Sequence, residues 1–208
     1  MIGSDNFKFE IKLIPAKLAK EYIHQYHYSK GSHNGPFPNY GLYHNDRLIG
    51  VLMFATPCSE NVRSSVFGKD YKDSVIELHR LHIQDGTPKN TESWFISRCL
   101  RQLLKDRPQT MAVISFADPT EGHSGTIYKA TNFGYYGLSS PAKFYKDQSG
   151  RLRHPRQAGK NITLKQAKEW GWELCPRMGK HRYIFLLTKQ ARKLCLLEKK
   201  GFPNGNVH

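Results

Sequence analysis

The densest run of chemically capable side chains is Ser115-Phe116-Ala117-Asp118-Pro119-Thr120-Glu121-Gly122-His123-Ser124-Gly125-Thr126-Ile127-Tyr128. The apolar residues from Met111 to Ala117 read as a strand covered on both faces, and Asp118-Pro119 stops it abruptly. That places a carboxylate at the carboxyl edge of the sheet, where open α/β sheets bind ligands, with a glycine-rich loop leading to a helix start. Asp is also a residue type that caps a following turn, so a purely structural role stands beside the chemical one. His24 and His27 stand at i, i+3 on one helix, with His33 following. That spacing suits a metal, and so does chance among ten histidines, so no ligand set is assigned.

The elements that must position these groups follow from period and punctuation. Leu13 to Tyr28 reads as a helix with Pro15 in its first turn, and Gly31 to Asn39 as a loop. Tyr40 to His44 and Arg47 to Ala55 form a hairpin around Asn45-Asp46. Val75 to Ile83 is a strand of period two, with Ile76, Leu78, Arg80 and His82 on one face and Val75, Glu77, His79, Leu81 and Ile83 on the other. Thr91 to Lys105 carries the apolar stripe Phe95, Ile96, Cys99, Leu100 and Leu103 of a helix, with Asn90 or Thr91 as its cap. Then come a short helix over Gly125 to Asn132, a hairpin over Lys143 to His154, a helix over Thr163 to Trp172 and a last strand over Arg182 to Leu187. Gln190 to Lys200 reads as a closing helix and Gly201 to His208 as a frayed end. The economical fold is α/β (α+β): a single mixed sheet flanked by helices, with residues 1–190 as one catalytic domain and 191–208 as a C-terminal helix and tail.

Composition narrows the partners. Against 17 acidic residues stand 32 Lys and Arg, a net charge of +15 in 208 residues, which favours a polyanion. From Lys143 to Arg182, eleven Lys/Arg face three acidic residues, with Tyr145, Trp170 and Trp172 interleaved. Lys143, Lys146, Arg151, Arg153 and Arg156 on that arm are candidates to track DNA phosphates, the alternative being a solvated basic face. Asp5 and Lys8 interrupt what would be a signal peptide, and no window is apolar enough to span a bilayer, so a cytoplasmic protein without a membrane partner is expected. Cys58, Cys99, Cys175 and Cys195 lie far apart and read as reduced packing residues.

Three resemblances add to this. The Asp-Pro step is chemically similar to the Asp/Asn-Pro-Pro-aromatic loops of amino-group DNA methyltransferases, whose acid and a backbone carbonyl accept both amine protons; the second Pro is absent here. Ile127-Tyr128-Lys129-Ala130-Thr131-Asn132-Phe133-Gly134-Tyr135 resembles the Leu-Tyr-x-x-x-Gly-Phe segment of GCN5-related N-acetyltransferases, which implies that fold and makes Tyr128 the acid toward a departing thiolate. Where that family has a Gln/Arg-x-x-Gly-x-Gly/Ala pyrophosphate loop, this chain has Asp85-Gly86-Thr87-Pro88-Lys89-Asn90-Thr91-Glu92-Ser93. Pro88 offers no N–H and the two acids repel phosphate, which counts against ordinary acetyl-coenzyme A binding and leaves the donor unidentified.

Together with His27-Tyr28-Ser29 and Glu77-Leu78-His79-Arg80, the run Ser115 to Gly137 is similar to the Mom-type phage DNA-modification proteins. The resemblance implies conversion of adenine in double-stranded DNA to N6-(carbamoylmethyl)adenine as protection from host restriction, with iron binding and a homodimer also associated with the family. It makes His27, Ser115, His123, Ser124 and Asn132 site residues. Adenine N6 is a weak nucleophile, so Asp118 is expected to accept its proton and Arg80 to neutralise an oxyanion on the small-molecule donor, although a strand Arg is also commonly paired with a structural acid. Tyr28, Tyr135 and Tyr136 are candidate stacking faces for an extruded base. An ordinary N-acetyltransferase and a non-catalytic basic DNA-binding protein are the competing expectations.

Overall fold

The computed structural model of the chain describes residues 8–27, 35–157 and 160–203, the side chains of 142, 156, 157, 160 and 161 excepted. The hairpin is as expected: β2 (Asn39–His44) and β3 (Arg47–Ala55) turn through Asn45 and Asp46, both in the left-handed region that a two-residue turn requires. β4 (Val75–Ile83), α3 (Thr91–Asp106) and β5 (Ala112–Ala117) lie within a residue of their predicted bounds. Asn90 occupies the cap position of α3 without a side-chain hydrogen bond; Thr91 instead donates its hydroxyl to the Pro88 carbonyl.

The amino-terminal reading is corrected. Phe9–Ile14 forms strand β1, paired with β2, and helix α1 (Ala16–Tyr26) begins only after Pro15, which stands at its cap. Helix α2 (Glu60–Phe67), capped by the Ser59 hydroxyl, had no sequence expectation. After α4 (Thr126–Ala130) come β6 (Gly134–Leu138), β7 (Ala142–Lys146), β8 (Leu152–Arg153), β9 (Arg156–Gln157), β10 (Lys160–Asn161), α5 (Leu164–Glu169), β11 (Glu173–Arg177), β12 (His181–Leu186) and α6 (Lys189–Leu194). The closing helix therefore ends six residues before Lys200. The tail is not frayed as far as Pro203: Lys200 bridges to Tyr135 on β6, and the Phe202 ring stacks on Tyr183.

Seven strands form one mixed sheet in the order β1-β2-β3-β4-β5-β12-β6. Alternation assigns its two faces. Leu52 and Phe54 of β3, with Val113 and Ala117 of β5, pack under the stripe of α3, and Ile127 of α4 joins them. Val51 and Met53 pack under Ala19, Tyr22 and Ile23 of α1, while Ala112 and Ile114 pack under α2 and α6. Between β6 and β12 the chain leaves the sheet and builds a small arm, the three strands β11-β7-β8 with α5, around Tyr145, Ile162, Ala167 and Trp172.

Candidate functional site

Two departures from regularity in the central strands make the site. β4 and β5 are the parallel pair, yet they bond only from Val75 to Glu77 against Ala112 to Ile114; beyond that the strands separate. On its other edge β4 carries a bulge: Met53 pairs with Arg80 and Phe54 with Leu78, so His79 is extra. The bulge reverses the face alternation predicted for this strand. Leu81 and Ile83 join Leu78 against the α3 face, whereas Arg80 and His82 lie opposite Met53 and Val51, on the α1 side. Arg80 therefore shares the face of Glu77 instead of opposing it, and the extra residue His79 lines the opening between the strands.

A cavity of about 720 Å³ fills that opening. His27, Cys58 and Val62 line it from the α1 and α2 side, Thr126, Ile127 and Tyr128 from the α4 side, and Glu77, His79, Arg80 and Phe116 from between, so it runs through the sheet. Cys58 is exposed there, which corrects its reading as a packing residue, while Cys99 is buried as expected and Cys175 and Cys195 are half-buried.

Asp118 faces this cavity with a side chain 11% exposed, and it also caps the turn after β5. The two readings of that residue are thus compatible. Its Oδ1 accepts from the Thr120 N–H at 3.0 Å and the Thr120 hydroxyl at 2.5 Å; its Oδ2 lies 3.2 Å from Lys180 Nζ. Burial raises the carboxyl pKa, but the Thr120 donors and Lys180 outweigh it and hold the group below the ordinary carboxylate range. Lys180 was counted only as one charge of the basic arm. Register explains its place: β12 runs antiparallel to β5 with His181 opposite Ala117, which sets the preceding residue beside Asp118. No local signal in the sequence announces that pairing.

The loop from Asp118 to α4 is fixed by close packing. Gly125 has φ +80°, and a β-carbon there would lie 2.3 Å from the Tyr183 ring, whose hydroxyl donates to the Ser124 carbonyl. Tyr183 also packs on Tyr128, ring centroids 5.1 Å apart. Ser115 Oγ lies 2.8 Å from Tyr128 Oη and 3.0 Å from the Leu78 carbonyl, at the point where the β4–β5 ladder ends. Its single proton satisfies one of them at a time. His27 is buried at the end of α1; desolvation first, then the charges of Arg80, His82, His79 and His123, push its pKa down to about 4, which keeps the ring neutral.

Of the predicted site residues, Asp118, Tyr128, Arg80, His27, His123 and Ser124 line the cavity, and Ser115 touches it through Tyr128. Tyr28 and His33 lie outside the described residues. Tyr135, Tyr136 and Asn132 are not brought there. Tyr135 is buried against Tyr183 and bonds His181, Tyr136 is buried among α2 and α6 residues, and Asn132 is exposed in the left-handed turn after α4. Ser139, Cys58 and Val62 also line the cavity with no local signal in the sequence, while Glu77 and His79 stand in the motif that carries the family resemblance and reach the cavity through the bulge and the splay, which are tertiary events.

On the arm, Lys143, Lys146 and Arg151 are exposed. Arg153 is not available in the same way, since its Nε binds Asp147 at 2.6 Å and locks the β7–β8 turn; the Arg156 side chain lies outside the described residues. Arg182, counted with the arm, sits in β12 and donates to the Tyr136 carbonyl. Among the described residues, no three His, Cys, Asp or Glu side chains gather as metal ligands. The cavity takes no lining from 84–92, the Thr91 N–H is used by Pro88, and Asp85 and Glu92 are acidic, so this segment does not fit a coenzyme A pyrophosphate. No helix among the described residues is long and apolar enough to cross a membrane.

Comparison with known proteins gives a consistent picture. The family model described as Mom protein family matches residues 8–204. Methylcarbamoylase mom of Escherichia phage Mu is 28% identical over 200 residues, covering 93% of this chain and 81% of that protein. Among solved structures, the ribosomal-protein-S18-alanine N-acetyltransferase of Escherichia coli superposes with a TM-score of 0.51, covering 87% of this chain and 95% of that one at 9% identity. A protein of Acinetobacter baylyi assigned as an acetyltransferase gives 0.51 over 88% and 94% at 10% identity. These last two likenesses are of fold, and they bear out the expected N-acetyltransferase architecture.

Proposed function

The chain belongs to the Mom protein family, and from that premise we propose that it is a DNA-modifying transferase that converts adenine in double-stranded DNA to N6-(carbamoylmethyl)adenine. In this reading it is a phage product that acts in the host cytoplasm and shields phage DNA from restriction. The observation that carries the reading is the placement of Asp118: the acid closes the central strand and faces a cavity wide enough for a ligand, instead of being sealed in the core.

An adenine extruded from the duplex, at a cost of a few kcal/mol, enters the cavity and presents its amine to Asp118. The ionised Asp118 carboxylate accepts the amine N–H, localises the N6 lone pair and takes up its proton as the bond from N6 to the donor carbon forms and the bond from that carbon to its leaving group breaks. Arg80 neutralises negative charge that grows on the donor's carbonyl or carboxyl group. Tyr128 protonates the group that leaves; Ser115 then turns its one proton from the Leu78 carbonyl to the phenolate oxygen. Neutral His27, together with His123 and Ser124, lines the space the two substrates share. Lys143, Lys146 and Arg151 hold the duplex by its phosphates without reading sequence. The reading needs DNA and a small-molecule donor as partners; iron and a homodimer enter none of its steps.

DNA from bacteria expressing the protein, digested to nucleosides and analysed by mass spectrometry, should contain an adenine species heavier by the carbamoylmethyl group. Soluble protein with an unmodified adenine pool would overturn the proposal. The N-acetyltransferase architecture also favours a second reading, acyl transfer to a protein or small amine. Calorimetric titration with acetyl-coenzyme A separates the two, since tight binding without DNA belongs to the second.

A further inference from the structure

Two cations leave the arm by its last strand, and both end on the loop that carries Asp118. Arg177 donates to the Thr120 hydroxyl and, at 2.9 Å, to Glu121. Thr120 donates in turn to Asp118 Oδ1, and Lys180 occupies Oδ2. The backbone beneath Lys180 is pinned. Its N–H donates to Ser139 Oγ at 2.9 Å, its carbonyl accepts from the Ser139 N–H at 2.8 Å, and a β-carbon on the preceding Gly179 would stand 1.8 Å from the Ser139 carbonyl. Above this fixed pivot the Lys180 side chain is 54% exposed, where that of its partner Asp118 is 11% exposed. Ser139 and Lys180 both line the cavity, at the neck of the basic arm.

We propose that Lys180 is a shared counter-ion: it holds Asp118 in the free protein and transfers to a phosphodiester of the target nucleotide when DNA docks, which vacates Oδ2 for an amine N–H. This rests on the reading of the protein as a DNA base-modifying enzyme and adds how docking is coupled to chemistry. No covalent bond changes. One ion pair, worth little because half of it is solvated, is exchanged for another of the same kind, and the acceptor becomes available only when a nucleotide is present. Without DNA, both oxygens of Asp118 are engaged by the protein's own donors.

A double-mutant cycle on DNA affinity tests this without any knowledge of the donor. The probe is a fluorescein-labelled duplex, read by anisotropy against salt, with wild type, Asp118→Asn, Lys180→Gln and the double variant. Asp118→Asn should bind the duplex up to about fivefold more tightly, because it releases Lys180 from a competing partner. Lys180→Gln should lower the salt slope by about 0.9, the loss of one phosphate contact. In the Lys180→Gln background, Asp118→Asn should change affinity no further. An equal gain in both backgrounds would mark a general charge effect and overturn the exchange, as would an unaltered salt slope. Lys180→Arg, which keeps the charge, should bind as wild type, and its failure to do so with an unchanged thermal midpoint would also count against the exchange. Failure of the parent reading looks different: wild-type protein would then not bind the duplex, or the mass-spectrometric assay would find no modified adenine.

Discussion

The seven-stranded sheet and the arm inserted between β6 and β12 are built in contrasting ways. The sheet buries Phe54, Phe95, Phe133, Tyr183 and many aliphatic residues between helices on both faces, and two of its departures from regularity, the β4 bulge and the β4–β5 splay, lie at the cavity. Among the described residues the arm has four for a core, and it is held by polar locks: Asp147 accepts from Ser149, Arg151 and Arg153, and Arg177 reaches back to Thr120 and Glu121. The Ser149 hydroxyl, then Arg153, hold the Asp147 carboxyl far below its usual range. The contrast teaches a division of labour. Geometry that must be accurate to a fraction of an ångström is placed on packed strands, and charge that needs only to follow a polyanion is placed on a lightly built appendage.

The sharpest way to break that division is Asp118→Asn. The amide keeps an oxygen for the Thr120 N–H and removes the charge, so the fold should persist. Modification should fall by at least about a hundredfold, the ordinary contribution of a positioned proton acceptor, while DNA affinity is retained or slightly raised. Modification near wild-type level would take the chemistry away from the end of β5. The next largest effect concerns stability. His27 titrates near 6.5 unfolded and near 4 folded, so below pH 6.5 the unfolded chain takes up a proton that the folded chain refuses. Stability should therefore decline from pH 6.5 toward 4, by at most about 3 kcal/mol, and be insensitive to this group above pH 6.5. The groups facing it are Arg80, His79, His82 and His123. Urea midpoints measured across that range should lose most of the decline in His27→Gln. An unchanged slope would mean that the ring is not held neutral by its surroundings.

How much of this was legible follows the same division. β3, β4, α3 and β5 are written locally, in alternation or in an i, i+3, i+4 stripe, and their ends carry Asn45-Asp46 or Asp118-Pro119. The helix was begun too early because Leu18, Tyr22 and Tyr26 stand at helical spacing and Pro15 is tolerated in a first turn, while Phe9 to Lys12 carried no reading; pairing with β2 decides for a strand from Phe9 as far as Ile14. The face of Arg80 was misassigned because one extra residue in β4 reverses every side chain after it, and the bulge is fixed by β3, not by β4 itself. Lys180 beside Asp118, and Ser139 beside Lys180, are products of antiparallel register between segments about 60 and 40 residues apart. Tyr135 and Tyr136 read as stacking faces because aromatic type is visible in a sequence and burial on a neighbouring strand is not.

Charge removal from the arm sharpens the contrast from the other side. Replacing Lys143, Lys146 and Arg151 by Gln should weaken DNA binding on the order of tenfold near physiological salt and reduce the salt slope by roughly 2 to 3, uniformly across sequences. The rate of modification at saturating DNA should be unchanged, since none of the three lines the cavity. A fall in that rate at saturation would show that the arm does more than supply affinity.

The smallest expected effect tests whether the two regions are separate folding units at all. Thr163 and Gln166 form a reciprocal cap at the start of α5, with the Thr163 hydroxyl accepting from the Gln166 N–H at 3.2 Å and Gln166 Oε1 accepting from the Thr163 N–H at 3.0 Å. Thr163→Ala removes about 1 kcal/mol from a six-residue helix that has little else to hold it. Its one buried residue, Ala167, also accepts the Trp172 N–H that closes the helix. If the arm opens independently, hydrogen exchange at Ala167, Trp170 and Trp172 should accelerate by about fivefold while the amides of Val113, Ile114 and Ile184 in the central strands keep their rates. Equal acceleration in β5 and β12 would mean that the neck at Ser139, Gly179 and Lys180 transmits unfolding as firmly as it fixes position. In that case the arm would be an integral part of the fold, and its mechanical connection to Asp118 would be stiffer than an exchange of ion pairs requires.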